Sequence, residues 1–196
     1  VKELLGRLRE RYEEALRPIG HALARCGVSP NFVTLSGLAV AAVCCYTLYL
    51  GRLYVGLGLL AAVALIDVLD GAVARASRRA SRFGDVLDKV VDRYAEFALL
   101  LGLALGGFMS WWWGFFALFG MVMASYARAE AEAALGGRGV GGGLMERQEK
   151  LLVIAAGMLA YPTLPIALDC AGALVGALSH ATAAQRLLRA WRRSRG

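Results

Sequence analysis

Charged and reactive side chains are scarce in this chain of 196 residues. Asp, Glu, Lys and Arg make up only 19% of it, against roughly 25% of an average soluble domain. It has two histidines and four cysteines, with no Cys-x-x-Cys pair and no Cys/His cluster. A zinc site or a disulfide framework is therefore not expected. The Gly-rich stretch 136–143 lacks the Gly-Lys-Ser/Thr ending of a phosphate-binding P-loop, so we interpret it as a flexible linker.

Apolar side chains dominate instead. Hydrophobic residues make up 58% of the chain, and the mean hydropathy is +0.54. A water-soluble globule of this size could not bury so much apolar surface, which excludes an ordinary soluble enzyme and a disordered chain. The net charge is nevertheless +7, from 22 Lys and Arg against 15 Asp and Glu. We interpret this as an integral membrane protein with positive charge on one side, and expect no nucleic-acid partner.

The hydropathy pattern predicts an all-α, polytopic membrane protein. Residues 2–25 have apolar side chains at spacings of three and four between charges, which predicts an amphipathic interfacial helix. We assign 1–28 to this juxtamembrane segment and 29–196 to a membrane domain with a basic C-terminal tail. A spanning helix needs about 20 mostly apolar residues. Six candidate spans follow, near 33–50, 54–76, 85–107, 111–134, 149–163 and 165–189.

The basic residues predict the orientation of these spans. Arg52 is alone among the 22 Lys and Arg residues in lying in a connection on one side of the six-helix layout. The other 21 fall on the opposite side, which the positive-inside rule makes cytoplasmic. We therefore predict a multi-pass protein of the cell membrane with both termini in the cytoplasm. Trp111, Trp112 and Trp113 would then lie at the far interface, where tryptophan gathers.

Four carboxylates interrupt the second and third spans, where ionisable groups cost roughly 2.5–3.5 kcal/mol each. Asp67 and Asp70 share one helix face, and Asp88 and Asp92, four residues apart, share a face of the next helix. A short loop makes these helices antiparallel neighbours, so the acidic faces can meet. Converging hard oxygen ligands suit Mg²⁺, Mn²⁺ or Ca²⁺. Two alternatives are salt bridges to Arg75, Lys89 and Arg93, and the ion site of a cation transporter.

The complete pattern of residues 67–92 is D-x2-D-G-x2-A-R-x8-G-x3-D-x3-D. It resembles the signature of the CDP-alcohol phosphotransferase family, and every signature position is filled. The resemblance implies an enzyme that transfers the phosphoryl-alcohol part of a CDP-linked lipid to an acceptor hydroxyl and releases CMP. The polar residues crowd toward one end of the predicted helices and the opposite halves are apolar, which favours an active site that opens to the cytoplasmic side.

The resemblance also implies roles for individual residues. Asp67, Asp70 and Asp88 would bind a pair of divalent ions, Mg²⁺ or Mn²⁺, and Asp92 would reach the metals and act as general base. A further set would hold the CDP-lipid: Asn31, Thr34, Gly71, Ala74, Arg75, Ser81 and Gly84.

The acceptor is predicted from the rest of the chain. The runs 125–132 and 144–150 look like the branch of the family that uses inositol 1-phosphate. A phosphorylated acceptor needs cations beside the metals, and the candidates for that pocket are Arg128, Arg147, Arg186 and Arg189. Glu130 occupies a position where this branch often has a basic residue. Glycerol 3-phosphate would need a similar pocket, so a phosphatidylglycerophosphate-type synthase is the alternative.

The lipid donor and the assembly state are predicted more coarsely. The donor would be CDP-archaeol or CDP-diacylglycerol. The family resemblance implies a homodimer. Gly102 and Gly106, four residues apart, form a small-residue stripe that suits close contact between helices. The same stripe equally suits packing inside one bundle.

Overall fold

A computed structural model describes residues 16–77, 80–136 and 142–194. Within these ranges all regular secondary structure is helical, as the sequence predicts. Helix α1 covers residues 16–25. It is followed by α2 (Pro30–Tyr49), α3 (Leu53–Ser77), α4 (Arg82–Leu105), α5 (Trp111–Ala134), α6 (Arg147–Ala160) and α7 (Ala167–Ser194). The six predicted spans correspond to α2–α7, with ends that differ by up to five residues.

The helix ends follow local chemistry. Ser29 precedes α2, and its Oγ accepts a hydrogen bond from the Phe32 backbone N–H at 3.2 Å. Pro30 takes the first helical position, where a missing N–H costs nothing. Helices α2 and α4 are followed by Gly51 and Gly107, whose φ angles of 76° and 74° suit a residue without Cβ.

The described residues form two compact units. The first contains the described residues up to Tyr46 together with Gly58–Leu99. Its core is made of small side chains, namely Ala41, Val63 and Ala95, with Val40 and Ala98 packed against them. Small residues let helices approach closely: a Cβ at Gly37 would lie 3.2 Å from Ile66 Cγ2 on α3. This close packing positions the polar ends of α2, α3 and α4.

The second unit contains Thr47–Leu57 and the described residues from Leu100 onward. Here α7 packs against both α5 and α6. Gly120 on α5 lies so near α7 that a Cβ there would meet the Gly176 carbonyl at 3.0 Å. Gly106 likewise faces the Leu48 carbonyl in the same unit. Gly106 therefore serves close packing within this chain.

Three of the helices in the described ranges are long and apolar enough to cross a membrane: α2, α3 and α7. Helix α6 has 14 residues, which is about 21 Å of helix against a hydrocarbon core of about 30 Å. The count of six spans therefore stays a prediction. The predicted amphipathic helix is described only at residues 16–25, because 1–15 lie outside the described residues.

Candidate active site

Three carboxylates from two helices converge in the first unit. Asp67 lies on α3, and Asp88 and Asp92 lie one turn apart on α4. Each offers one oxygen, and the three oxygens all lie within 4.8 Å of one another. Every one of the three is partly buried. The predicted meeting of the acidic faces of α3 and α4 is therefore present in the fold, and three hard oxygen donors this close fit a divalent cation.

Asp70 lies one turn along α3 from Asp67 and has a partner that the sequence does not suggest. Its Oδ2 accepts a hydrogen bond from Thr34 Oγ1 on α2 at 2.7 Å. Both side chains are buried, with Asp70 8% and Thr34 7% exposed. The Thr34 hydroxyl also lies 3.1 Å from the Pro30 carbonyl, but its single proton has the closer and charged acceptor in Asp70. Thr34, predicted as a CDP-lipid ligand, therefore orients one of the predicted metal ligands.

The other predicted CDP-lipid-binding residues lie on α3 and at the starts of α2 and α4. On α3, a Cβ at Gly71 would lie 3.4 Å from Arg75 Nη1, so the Arg75 side chain folds back over Gly71. Ala74 lies on the same helix, three residues after Gly71. At the start of α4, Ser81 Oγ accepts a hydrogen bond from the Gly84 N–H at 3.0 Å.

Asn31, at the start of α2, belongs to the same group. A Cβ at Gly84 would meet the Asn31 Oδ1 at 3.3 Å and the Ser81 Oγ at 3.2 Å. The first turns of α2 and α4 thus bring Asn31, Ser81 and Gly84 together. A side chain at position 84 would fill the space between them.

Glu96 is a buried carboxylate that the sequence analysis missed. It lies one turn beyond Asp92 on α4 and is only 1% exposed. Its Oε2 pairs with Arg93 Nη1 at 2.5 Å. The spacing of four residues from Asp92 was the available signal, since it extends the acidic face of α4. Lys89, one of the cations in the salt-bridge alternative, pairs with Asp85 at 2.6 Å on the exposed side of α4, and Asp85 is not one of the four carboxylates of that alternative.

Three of the four predicted acceptor-binding arginines meet in the second unit. Arg128 on α5 and Arg189 on α7 are charged neighbours of Arg186. Arg128 also pairs with Glu132 through its Nε at 2.7 Å, which offsets part of its charge. Arg147, the fourth candidate, is the first residue of α6.

Arg186 and Arg189 also bind backbone. Arg186 Nη1 donates to the Ala124 carbonyl at 2.6 Å, and its Nε donates to the Gly142 carbonyl at 3.3 Å. Arg189 Nη1 donates to the same Gly142 carbonyl at 3.2 Å. A guanidinium has five N–H donors, so these bonds use two donors of Arg186 and one of Arg189.

An all-α membrane architecture with a carboxylate cluster between two helices fits a membrane protein that uses a divalent cation. Comparison with known proteins gives the family. The family described as CDP-alcohol phosphatidyltransferase matches residues 27–185. The chain belongs to this family and is a transferase.

Two curated relatives of the chain are archaeal. It is 37% identical to the archaetidylinositol phosphate synthase of Pyrococcus horikoshii over 151 residues, which cover 77% of this chain and 80% of the relative. Identity to the synthase of the same name from Methanothermobacter thermautotrophicus is 36% over 193 residues, covering 98% and 96%.

The fold is also that of a solved enzyme. A crystal structure of Mycobacterium tuberculosis phosphatidylinositol phosphate synthase with CDP-DAG bound superposes with a TM-score of 0.80 and 30% identity, covering 90% of this chain and 93% of that one. A structure of the same enzyme in complex with manganese and citrate gives a TM-score of 0.79 and 31% identity, covering 90% and 88%.

Proposed function

We propose that this protein transfers the phosphatidyl-type group of a CDP-lipid to the hydroxyl of inositol 1-phosphate and releases CMP. The observation that supports this most strongly is the convergence of Asp67, Asp88 and Asp92 within 4.8 Å, inside a chain that belongs to the family. The acceptor oxygen bonds to the phosphorus that carries the lipid. The bond from that phosphorus to the bridging oxygen breaks, and the bridging oxygen leaves with CMP.

Asp67, Asp70, Asp88 and Asp92 are the residues that would hold two divalent ions, Mg²⁺ or Mn²⁺. Asp70 supports this set because it interacts electrostatically with both Asp67 and Asp88. Bound divalent ions supply Lewis-acid polarisation of the phosphoryl group and neutralise the charge of the pyrophosphate. The carboxylate oxygens of the three-residue cluster are the kind of donor these ions prefer.

Asp92 acts as the general base in this proposal. A carboxylate within hydrogen-bond reach of the acceptor hydroxyl accepts its proton as the new phosphorus–oxygen bond forms. Asp92 occupies the last position of the signature, one turn past Asp88 on α4. In this proposal it contacts the acceptor hydroxyl and also reaches the metals.

The donor is held by the first turns of α2 and α4 and by the Gly71 face of α3. Gly71 and Gly84 lack side chains where the nucleotide would contact backbone, and Arg75 supplies a cation for the pyrophosphate. Asn31 and Ser81 supply polar groups beside Gly84. The small side chain of Ala74 leaves room on α3 for the donor. CDP-archaeol and CDP-diacylglycerol share this headgroup, so both are candidate donors.

The arginines of the second unit bind the phosphate of the acceptor. Arg128 and Arg189 are charged neighbours of Arg186, and Glu132 and Glu146 also lie near it. A phosphate would form strong, directional hydrogen-bonded pairs with these guanidinium groups. Archaeal relatives named archaetidylinositol phosphate synthases make inositol 1-phosphate the first choice, and glycerol 3-phosphate is the rival with the same phosphate.

The proposed topology has six spans, both termini in the cytoplasm and an active site open to the cytoplasmic side. It is supported by the one-sided distribution of Lys and Arg. A homodimer is proposed from the family alone. Cysteine accessibility from each side of sealed vesicles tests the topology, and the mass of the protein–detergent complex tests the dimer.

The reaction is tested with purified protein in detergent, by measuring CMP release from a CDP-lipid with Mg²⁺ or Mn²⁺. An acceptor panel of inositol 1-phosphate, glycerol 3-phosphate, serine and free inositol, with product mass spectrometry, assigns the acceptor. Incorporation of inositol 1-phosphate is the expected result. Incorporation of serine or free inositol alone would contradict the arginine pocket. If no CDP-alcohol yields CMP, an ion-transport role of the Asp cluster becomes the better hypothesis.

A further inference from the structure

One face of α7 holds the chain segment that leads into α6. Thr182, Arg186 and Arg189 are spaced by four and three residues and therefore share this face. Together they make three hydrogen bonds to residues 142–144: the Leu144 N–H donates to Thr182 Oγ1 at 3.2 Å, and the two arginines donate to the Gly142 carbonyl at 3.3 and 3.2 Å. The segment 142–144 is thus attached to α7 at both of its ends.

Thr182 is the buried member of this face. It is 1% exposed, and its hydroxyl both accepts and donates a hydrogen bond. It accepts from Leu144 N–H and donates to the Leu178 carbonyl at 2.7 Å. Removing the hydroxyl takes this acceptor away from the Leu144 N–H and loosens the attachment of the segment to α7.

Gly143 fits against Thr182 because it has no side chain. A Cβ at Gly143 would lie 2.5 Å from Thr182 Cγ2 and 3.4 Å from its Oγ1. Such a contact is far closer than van der Waals packing permits, so the backbone of the segment would have to move away from α7. Position 143 therefore needs a residue without a side chain, because it faces the β-branched side chain of Thr182.

The fixed segment leads directly to the first residue of α6. Met145, which follows Leu144, is buried at 8% exposure. Glu146 and Glu149 then close a capping box at the start of α6. Arg147 begins the helix, three residues beyond the amide that Thr182 holds. The direction in which α6 starts, and with it the position of Arg147, depends on where residues 142–144 lie.

We infer that Thr182 is a positioning residue for the acceptor: by holding the Leu144 amide it fixes the start of α6 and places Arg147 to bind the acceptor's phosphate. The inference rests on the proposed function, because it takes Arg147 as a phosphate ligand. Thr182 is buried, at 1% exposure, and acts through the Leu144 amide rather than by contact with a substrate. Its effect is therefore specific to one substrate, which separates it from a merely structural role.

The test compares three variants by steady-state kinetics of CMP release. Thr182→Val keeps the shape and removes the hydroxyl, and Thr182→Ser keeps the hydroxyl. Gly143→Ala displaces the segment while Thr182 stays intact. Gly114→Ala is the matched control, since a Cβ there meets only Met109 Sδ, at an ordinary 3.8 Å.

Thr182→Val is expected to raise the KM for inositol 1-phosphate about tenfold, with kcat and the KM for CDP-lipid within twofold of the original protein. Thr182→Ser is expected to keep the KM for inositol 1-phosphate close to that of the original protein. Gly143→Ala is expected to raise this KM as Thr182→Val does. Hydrogen exchange at residues 142–146 should accelerate in Thr182→Val and Gly143→Ala. Gly114→Ala should change neither measurement.

Different results would overturn the proposed function and the positioning role of Thr182. If the unmodified protein does not use a phosphorylated acceptor, the proposed function is wrong and the inference falls with it. If the unmodified protein does, but Thr182→Val leaves the acceptor KM unchanged or alters kcat and both KM values alike, the positioning role alone is wrong. Equal behaviour of Thr182→Val and Thr182→Ser would also overturn it. If Thr182→Val does not fold, Gly143→Ala tests the role instead. A rise in the KM for inositol 1-phosphate without a rise in the KM for CDP-lipid supports the positioning role, and any other result contradicts it.

Discussion

The hydrogen bond from Thr34 to Asp70 predicts that a hydroxyl on α2 controls the metal requirement of the enzyme. The bond is 2.7 Å long and donates to a charged acceptor. Such bonds contribute about 1.5–3 kcal/mol. Thr34 is 7% and Asp70 8% exposed, so water cannot replace the lost donor. In Thr34→Val the Asp70 carboxylate is free to rotate away from the orientation it has in the fold.

The expected loss of metal affinity follows from the free energy of the hydrogen bond between Thr34 and Asp70. Loss of a partner that orients a metal ligand weakens metal affinity by about 10- to 100-fold, which agrees with the strength of the bond. We therefore expect Thr34→Val to need about 10- to 100-fold more Mn²⁺ for half-maximal CMP release. Thr34→Ser, which keeps the hydroxyl, should stay within a few-fold of the original protein.

The measurement is a Mn²⁺ titration of CMP release, with Mn²⁺ binding followed by electron paramagnetic resonance as a second readout. Ser36→Ala is the matched control on the same helix, because Ser36 Oγ donates to the nearby Val33 carbonyl at 2.7 Å and not to a carboxylate. A Thr34→Val protein whose Mn²⁺ dependence matches that of Ser36→Ala would refute the argument. Thermal unfolding of each variant separates a folding defect from a metal effect.

Three further predictions concern the chemistry and the packing. Asp92→Asn should lower kcat by about 10²-fold or more with folding intact; CMP release within a few-fold of the original protein would mean that another group accepts the proton. Chelation by EDTA should abolish CMP release, and added Mn²⁺ or Mg²⁺ should restore it; activity that persists in EDTA would contradict the carboxylate site. Glu96→Ala leaves Arg93 without its 2.5 Å ion-pair partner and should destabilise the fold by about 3 kcal/mol; an unchanged melting temperature in detergent would show that the pair contributes little.

A contact between α5 and α7 in the second unit gives a further prediction. Asp169 Oδ1 accepts the Ser110 N–H at the start of α5, at 2.7 Å, so Asp169→Ala should lower stability by about 1–2 kcal/mol and leave the Mn²⁺ dependence unchanged. A shifted Mn²⁺ dependence would show that this contact affects the metal-binding residues.

Contacts within one helix, or between helices joined by a short loop, could be predicted from the sequence. Asp88 and Asp92 had to share a face because four residues make about one turn of helix. The short connection between α3 and α4 then placed Asp67 opposite them. Glu96 obeys the same periodicity and could have been added to the face, although its burial and its pairing with Arg93 depend on the neighbouring helices.

Contacts between distant segments could not be predicted in this way. Thr34 and Asp70 are 36 residues apart, and a threonine near a helix start fits a ligand-binding role as well as a role in orienting a carboxylate. The same is true of Gly106, whose spacing suits a dimer interface or the contact with the Leu48 carbonyl that the fold contains. A small residue permits close approach without specifying what approaches.

The sequence by itself determined the class of protein, the helical periodicity, the acidic motif and the one-sided positive charge, because each is a property of composition or local spacing. The tertiary structure decided which partner each polar side chain takes. Arg186 has five N–H donors, and packing of α7 against the 142–144 segment gives one of them, on Nε, the Gly142 carbonyl. Hydrogen-bonding capacity is a property of a residue, whereas the partner that satisfies it depends on which distant segments the packing brings within hydrogen-bond distance.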